Sequence, residues 1–422
     1  MPMSIDIQRR VVITGLGVIA PNGTNLADFW ASIIVGRSAV GPLTRFDPMD
    51  SPTKIACEVR DFSPTDFMES KAANRLDRSI HFAIAAAVNA MKDSGIEIGK
   101  IDPTRVGCVE GTSVSHLSAA SKAETAYQLR GYKGISMFQM LNGYTGGGSG
   151  EVAAEIGIKG HAVTLSSGSA SGNDVMGYAA SMIREDEADV MVVGGAEAPI
   201  QPLVWGAFCQ SKVMTRGAGD PLTAMKPFDV ARSGFVLGEG AGFVIMEELG
   251  HALSRGARIY AEVVAHGRAC EAYHPVAPEP HGAGVKSAIQ AALKRGRLAI
   301  SEVDYINCHG TATAPSDLAE TRAIKSVFGK YARRLACSST KPVTGHLMAA
   351  AGAVETIVTT LTIFHQIIPP TANLEVPDAE CDLDYVQYRA RPYPVRLALN
   401  LSSGFGGKNS CLALRRWSLR ER

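Results

Sequence analysis

The chain reads as a layered α/β protein made of two halves that repeat one plan, and three observations predict this. Short apolar runs such as Val190-Met-Val-Val-Gly-Gly195 lack polar alternation, as strands do when helices cover both faces. Each run is followed within a few tens of residues by a helical pattern, and that alternation is the mark of layered α/β architecture. The alternation runs through residues 1–250 and again through residues 251–422. Ala188-Asp-Val-Met-Val-Val-Gly-Gly195 and Val303-Asp-Tyr-Ile-Asn-Cys-His-Gly310 match in pattern.

Taken in order, Val11 to Thr14 is a strand ended by Gly15-Leu-Gly17, and Leu26 to Val35 is a helix. Asp47 to Asp61 is irregular around Pro48 and Pro52. Ser79 to Ser94 is an amphipathic helix, with Ile80, Ile84, Ala87 and Met91 at helical spacing. Val106 to Val109 is a strand. Residues 115–150 read as an irregular insertion that ends in a flexible Gly146-Gly-Gly-Ser-Gly150. His161 to Leu165 reads as a short buried strand, Asn173 to Arg184 as a helix and Val190 to Gly195 as a buried strand. In the second half, Ala241 to Glu247, Tyr260 to Val264, Val303 to His309, Leu397 to Leu401 and Ser410 to Leu414 are strands. Gly282 to Arg295 and the apolar Gly352 to Gln366 are helices.

Composition narrows the function. With 422 residues the chain can bury a large core. A formal charge of +1 provides no bulk field for nucleic acid or a membrane surface. No apolar run approaches a bilayer span, and Met1 to Arg10 lacks the apolar core of a signal peptide. The eight cysteines are scattered without paired spacing, which suits free thiols in a cytoplasmic protein better than disulfides or a metal site. Cys308 adjoins His309, points to the opposite face of its strand and reads as buried filler.

The chemistry gathers at three places. After the strand ending at Leu165 comes the small-residue turn Ser166-Ser-Gly-Ser169-Ala-Ser-Gly172, then a helix. Such a turn sets Ser169 at a helix N-terminus, where backbone N–H groups lack partners and an oxyanion can be held. The same turn also reads as plain helix capping by Ser166, Ser167 and Ser169. His309, in Asn307-Cys-His-Gly-Thr311-Ala-Thr313, and His346, in Lys341-Pro-Val-Thr-Gly-His346, each stand near a strand end and a small-residue turn. Each is open to a structural reading as a hydrogen-bonding core histidine. Lys341 lies among small residues that argue for burial, and a buried ammonium needs a partner, for which Glu355 is a candidate.

These motifs, with Val11-Val-Ile-Thr-Gly-Leu-Gly17 and Asn400-Leu-Ser-Ser-Gly-Phe405-Gly-Gly-Lys-Asn409, occur in the order found in β-ketoacyl-acyl-carrier-protein synthases. The chain resembles that family along nearly its whole length. The resemblance implies the duplicated thiolase fold, five layers of α-β-α-β-α, and a homodimer. It implies no metal and no bound cofactor; the substrate arrives on the phosphopantetheine arm of an acyl carrier protein. It assigns His309 and His346 to the malonyl carbonyl. Lys341 and Glu355 become a network that fixes His346, with Asp317 and Glu320 nearby. Thr311 and Thr313 would bond the pantetheine arm. Phe405 would be the gate, its N–H pairing with that of Ser169 as oxyanion hole. Lys71, Arg75 and Lys212 would dock the carrier, against a plain reading as solvated charges.

One residue departs from the family pattern: Ser169 stands where the resemblance expects the nucleophilic cysteine. A thiol ionises readily at a helix N-terminus, whereas an alcohol needs a positioned base. Decarboxylation of a malonyl thioester needs no nucleophile, only a held thioester and a stabilised enolate. The sequence is similar to Ser-for-Cys synthase homologues of polyketide β-branching cassettes, which turn malonyl carrier into acetyl carrier. Another decarboxylating group carries glutamine at this position. Two alternatives stand beside this reading: a condensing enzyme whose cysteine was replaced, and a non-catalytic chain-length-factor-like subunit. Such subunits usually lose the histidines kept here.

Overall fold

The computed structural model describes residues 9–217 and 219–418, so residues 1–8 of the Met1–Arg10 segment lie outside it. Ten strands form the main sheet. They are β1 (Val11–Ile19), β2 (Val106–Gly111), β3 (Ala162–Leu165), β4 (Val190–Glu197), β5 (Gly240–Glu248), β6 (Ala261–Cys270), β7 (Tyr305–Asn307), β8 (Ala336–Ser338), β9 (Leu397–Gly404) and β10 (Lys408–Arg415). Their order is β8-β7-β9-β10-β6-β1-β5-β4-β2-β3.

The duplication is visible in that order. From the centre outward, one side runs β1-β5-β4-β2-β3 and the other β6-β10-β9-β7-β8, the same sequence of first, fifth, fourth, second and third strand. The directions match as well. β5 is antiparallel to β1 and β4, and β10 is antiparallel to β6 and β9. The remaining neighbours on both sides are parallel. The two sides join through a short antiparallel pairing of Val11–Ile13 with Ala261–Val263.

Helices complete five layers. The first four helices are α1 (Leu26–Val35), α2 (Arg78–Ser94), α3 (His116–Arg130) and α4 (Gly147–Ile156); α2 and α4 form one outer layer, while α1 packs Phe29 and Ile33 into the middle cluster. The middle layer is α5 (Ser171–Arg184); α6 (Pro202–Ser211) lies beside the site described below. The other outer layer is α7 (Ala283–Gly296) and α8 (Ala314–Phe328), and α9 (Ala351–His365) lies beside α5 in the middle. Because α9 is enclosed by both sides of the sheet, every residue from Ala351 to Ile363 is buried. Its apolar sequence is a core helix's, all round. Contrary to the expectation that no apolar run approaches a bilayer span, Met348–His365 is long and apolar enough to cross a membrane by composition, but 89% of it lies inside the protein.

Three expectations change. β1 does not stop at Gly15-Leu-Gly17 but runs through to Ile19. The glycines permit close packing on α2: a Cβ on Gly17 would sit 2.0 Å from Ala86 O, and one on Gly15 would sit 2.3 Å from Ala90 O. Residues 115–150 are largely helical, and the glycine run opens α4 instead of forming a flexible tether. A Cβ on Gly148 would sit 2.1 Å from Glu110 Oε2, so that glycine is a packing residue. Finally, β3 is an edge strand, half-exposed rather than buried.

Candidate active site

The turn between β3 and α5 is tight because Gly168 takes a left-handed φ of 66°. Ser171 Oγ donates to Gly168 O at 2.6 Å and accepts from Ser167 N at 2.9 Å. Ser169 does not cap the helix: its Oγ lies 3.3 Å from His346 Nε2. The helix starts at Ser171, two residues earlier than expected, and a Cβ on Gly172 would sit 2.3 Å from Ala353 N of α9. The first turns of the two middle helices thus meet beside Ser169.

The histidines converge on this point. His309 leaves β7, His346 follows the short helix Lys341–Thr344, and their ring centroids lie 5.5 Å apart, edge to face. His346 Nδ1 accepts the backbone N–H of Met348 at 3.2 Å. In the neutral ring that bond leaves the proton on Nε2, the nitrogen facing Ser169. Burial, reinforced by the Lys341 ammonium, holds both imidazoles well below the usual histidine range, so both are neutral. His309 Nδ1 is buried without a partner among the described residues, so the protein leaves part of this ring's hydrogen-bonding capacity unused.

Lys341 is fully buried, and its Nζ donates to Glu355 Oε1 at 2.6 Å and to His309 O at 2.5 Å. Glu320 accepts the backbone N–H groups of His309 and Gly310 at 2.7 and 2.9 Å. The network therefore fastens the His309 turn rather than His346, contrary to expectation; the Met348 N–H holds His346. Burial pushes the Glu355 carboxyl up to about 7 against the pull of Lys341. Asp317 accepts from Phe228 N at 2.8 Å and has Arg232 at 3.9 Å, so it braces that loop instead of an imidazole.

Beside His309 lies a cavity of about 250 Å³, lined by Thr311, Thr313, Phe235, Phe405, Val276 and Asn409 among others. Thr311 and Thr313 share a hydrogen bond at 2.9 Å between their hydroxyls. Phe405 tips the β9–β10 hairpin, where Gly406 and Gly407 take φ of 81° and 71°. The hairpin packs on the Ser169 turn closely enough that a Cβ on Gly404 would meet Ser169 N at 3.1 Å. Sequence reading missed Phe208 and Phe235, which build the wall next to Phe405 and His346. Pro202, at the first turn of α6, is a helix-start signal that was available for that element.

Of the three expected docking residues, Lys71 and Arg75 line one surface hollow with Lys122 and Arg130, and the Arg75 guanidinium lies 5.5 Å from the Phe138 ring. Lys212 is not part of that hollow; it ends α6 in a left-handed conformation. All eight cysteines are free thiols, and Cys308 is buried. Among the described residues no group of three or more His, Cys, Asp or Glu side chains could hold a metal ion.

The duplicated five-layer fold, with a helix-N-terminal turn facing two neutral imidazoles, defines a thiolase-fold ketosynthase. Family models agree: residues 8–252 match the β-ketoacyl synthase N-terminal domain and residues 260–375 the C-terminal domain. The chain belongs to the β-ketoacyl synthase family. It is 41% identical over 410 residues to a 3-oxoacyl-[acyl-carrier-protein] synthase 2 of Synechocystis, covering 97% of this chain and 99% of that one. The corresponding Coxiella burnetii synthase is also 41% identical, over 409 residues, with the same coverage. Among solved structures, a type II polyketide ketosynthase in complex with its acyl-carrier protein matches at TM-score 0.91 and 32% identity, covering 97% of this chain and 100% of that one. The ishigamide ketosynthase/chain length factor matches at TM-score 0.90 and 33% identity, with the same coverage.

Proposed function

We propose that this chain decarboxylates malonyl groups carried on the phosphopantetheine arm of an acyl carrier protein, leaving acetyl carrier protein. The observation that carries the reading is the bond from Met348 N–H to His346 Nδ1 at 3.2 Å, which places the neutral ring's proton on Nε2. That Nε2 is a donor toward Ser169, so the ring is not poised to take the serine's proton, and among the described residues no other base bonds to that hydroxyl. The same N–H suits an oxygen that gains charge. As the C–C bond to the carboxylate breaks, its electron pair moves toward the thioester carbonyl and carbon dioxide departs. His309 and His346 hold the oxygen of the resulting enolate, whose α-carbon then takes a proton from solvent. Donors that bind the enolate more strongly than the ground-state carbonyl lower the barrier.

In this reading Thr311 and Thr313 steady the arm, and Lys341, Glu355 and Glu320 hold the His309 turn; Asp317 acts at one remove through Phe228. The Phe405 and Ser169 N–H groups face the thioester, and no cofactor takes part. Lys71, Arg75 and Lys212 receive the acidic carrier. A cytoplasmic homodimer supplying acetyl units for polyketide β-branching completes it. The half-exposed edge β3 and the exposed Tyr127, Leu129, Met137 and Met140 favour cover by a second copy.

The family's condensing activity is the second reading, favoured by the relatives' names; under it the serine replaces a working cysteine. Carbon dioxide release from carboxyl-labelled malonyl carrier, lost in the His309→Ala, His346→Ala double variant, is the expected result. No release by the unaltered chain, with condensation restored by Ser169→Cys, favours the second reading.

A further inference from the structure

The reactive end of the site has an aromatic wall. Phe405 lies 6.2 Å from Phe208, Phe208 lies 5.8 Å from Phe235, and Phe235 packs edge-on against His346 at 4.9 Å. Phe208 belongs to α6. Three residues earlier, and so on the same helix face, is Trp205, the largest fully buried side chain, at 1% exposure. Val204, Met348 and Leu237 fill in around it in one packed cluster, and Phe46 lies edge-on at 5.8 Å from the indole. The Trp205 indole N–H is buried without a partner among the described residues. An unpaired donor costs stability, so bulk and not hydrogen bonding is what this position contributes.

The cavity beside His309 is lined by Thr311, Thr313, Val276, Phe235 and Phe405, and neither Phe208 nor Trp205 reaches it. Phe235 forms one packed cluster with Phe208 and Trp205, so an acyl chain that grew past Phe235 by methylenes would meet that cluster. Close-packed interiors do not yield such room without displacing side chains. We propose that Trp205, with Phe208 behind Phe235, is a specificity-determining plug that limits the site to acyl groups of two or three carbons. The proposal rests on the decarboxylation reading for its choice of malonyl and acetyl, and it names short-chain acyl thioesters as the ligand class of the same site.

The test is direct binding, which does not require turnover and so separates this proposal from the decarboxylation reading. Acetyl-pantetheine and octanoyl-pantetheine thioesters are titrated into the unaltered protein by calorimetry. An open apolar tunnel would strengthen binding by about fourfold per added methylene. A plugged site reverses the sign: octanoyl binds at least about tenfold more weakly than acetyl. Trp205→Gly then narrows or inverts that gap. A second measurement uses Ser169→Cys, whose thiol is expected to take acetyl from the thioester faster than octanoyl. Octanoyl-pantetheine binding the unaltered protein as tightly as acetyl-pantetheine, or more tightly, overturns the plug whether or not the chain releases carbon dioxide.

Discussion

Ser169 Oγ and His346 Nε2 face each other at 3.3 Å, and the bond from Met348 N to His346 Nδ1 makes the imidazole the donor of that pair. A serine in this position receives a hydrogen bond; it is not activated. If the hydroxyl takes no part in the chemistry, Ser169→Ala keeps the rate of malonyl carrier decarboxylation within about threefold, since the alcohol gains no interaction in the transition state. A stopped assay of acetyl carrier formation measures this.

If the two imidazoles hold the enolate, removing either is a different matter. His346→Ala and His309→Ala are each expected to lower kcat by roughly a hundredfold or more, the loss typical of one oxyanion donor. KM for the malonyl carrier should move little, because the N–H groups bind the ground-state carbonyl weakly. Steady-state kinetics with both parameters resolved checks the split.

The neutral imidazoles also set the pH dependence. Burial and Lys341 hold both well below the ordinary histidine range, so the active neutral form persists as pH falls through 6.5, the usual value. Decarboxylation should therefore show no acid limb centred on that value. The limb appears only at distinctly lower pH, where the rings at last take up protons and His346 Nδ1 loses its acceptor role. A rate profile from pH 8 down to the limit of folding reads this out.

Glu110 offers a stability prediction. Burial pushes its carboxyl up from 4.5 to about 8, against hydrogen bonds from Thr164 and the Ser149 backbone. Across that window the unfolded chain has released the proton and the folded chain keeps it. Stability then falls as pH rises, by about 1.4 kcal/mol per unit from this group. Glu110→Gln, which stays neutral, should flatten the decline between pH 6 and 8. Denaturant melts of both proteins at the two pH values measure it.

Carrier recognition is testable at Arg75, which shares a surface hollow with Lys71, Lys122 and Arg130. Arg75→Glu is expected to raise KM for malonyl carrier protein several-fold while leaving a malonyl-pantetheine analogue unaffected, since surface charge acts on encounter with the acidic carrier. The effect should shrink at high salt.

Much of the fold was legible because long helices and buried strands have strong periodicity. Leu26–Val35 matched residue for residue, and Gly352 to Gln366 differed by one at each end. Two of the misreadings, the end of β1 and the flexible glycine run, share a cause. Gly15, Gly17 and Gly148 looked like breaks, whereas they sit where helix backbone or a buried carboxylate approaches too closely for a Cβ. Sequence spacing does not reveal such approaches. The pair of histidines was legible through their motifs, but which of them Lys341 serves was not. That depends on β7 and β8 lying side by side, which brings the His309 carbonyl within reach of the ammonium. Trp205 and Phe208 went unread because an apolar helix face is only a packing signal until a fold sets it next to His346.

The central claim is that this site removes carbon dioxide without ever carrying the acyl group. Intact-mass spectrometry of both proteins after incubation of the chain with malonyl carrier protein tests it most directly. The expected result is acetyl carrier alongside a chain of unchanged mass. A malonyl carrier that returns whole, or an acyl ester found on Ser169, contradicts it.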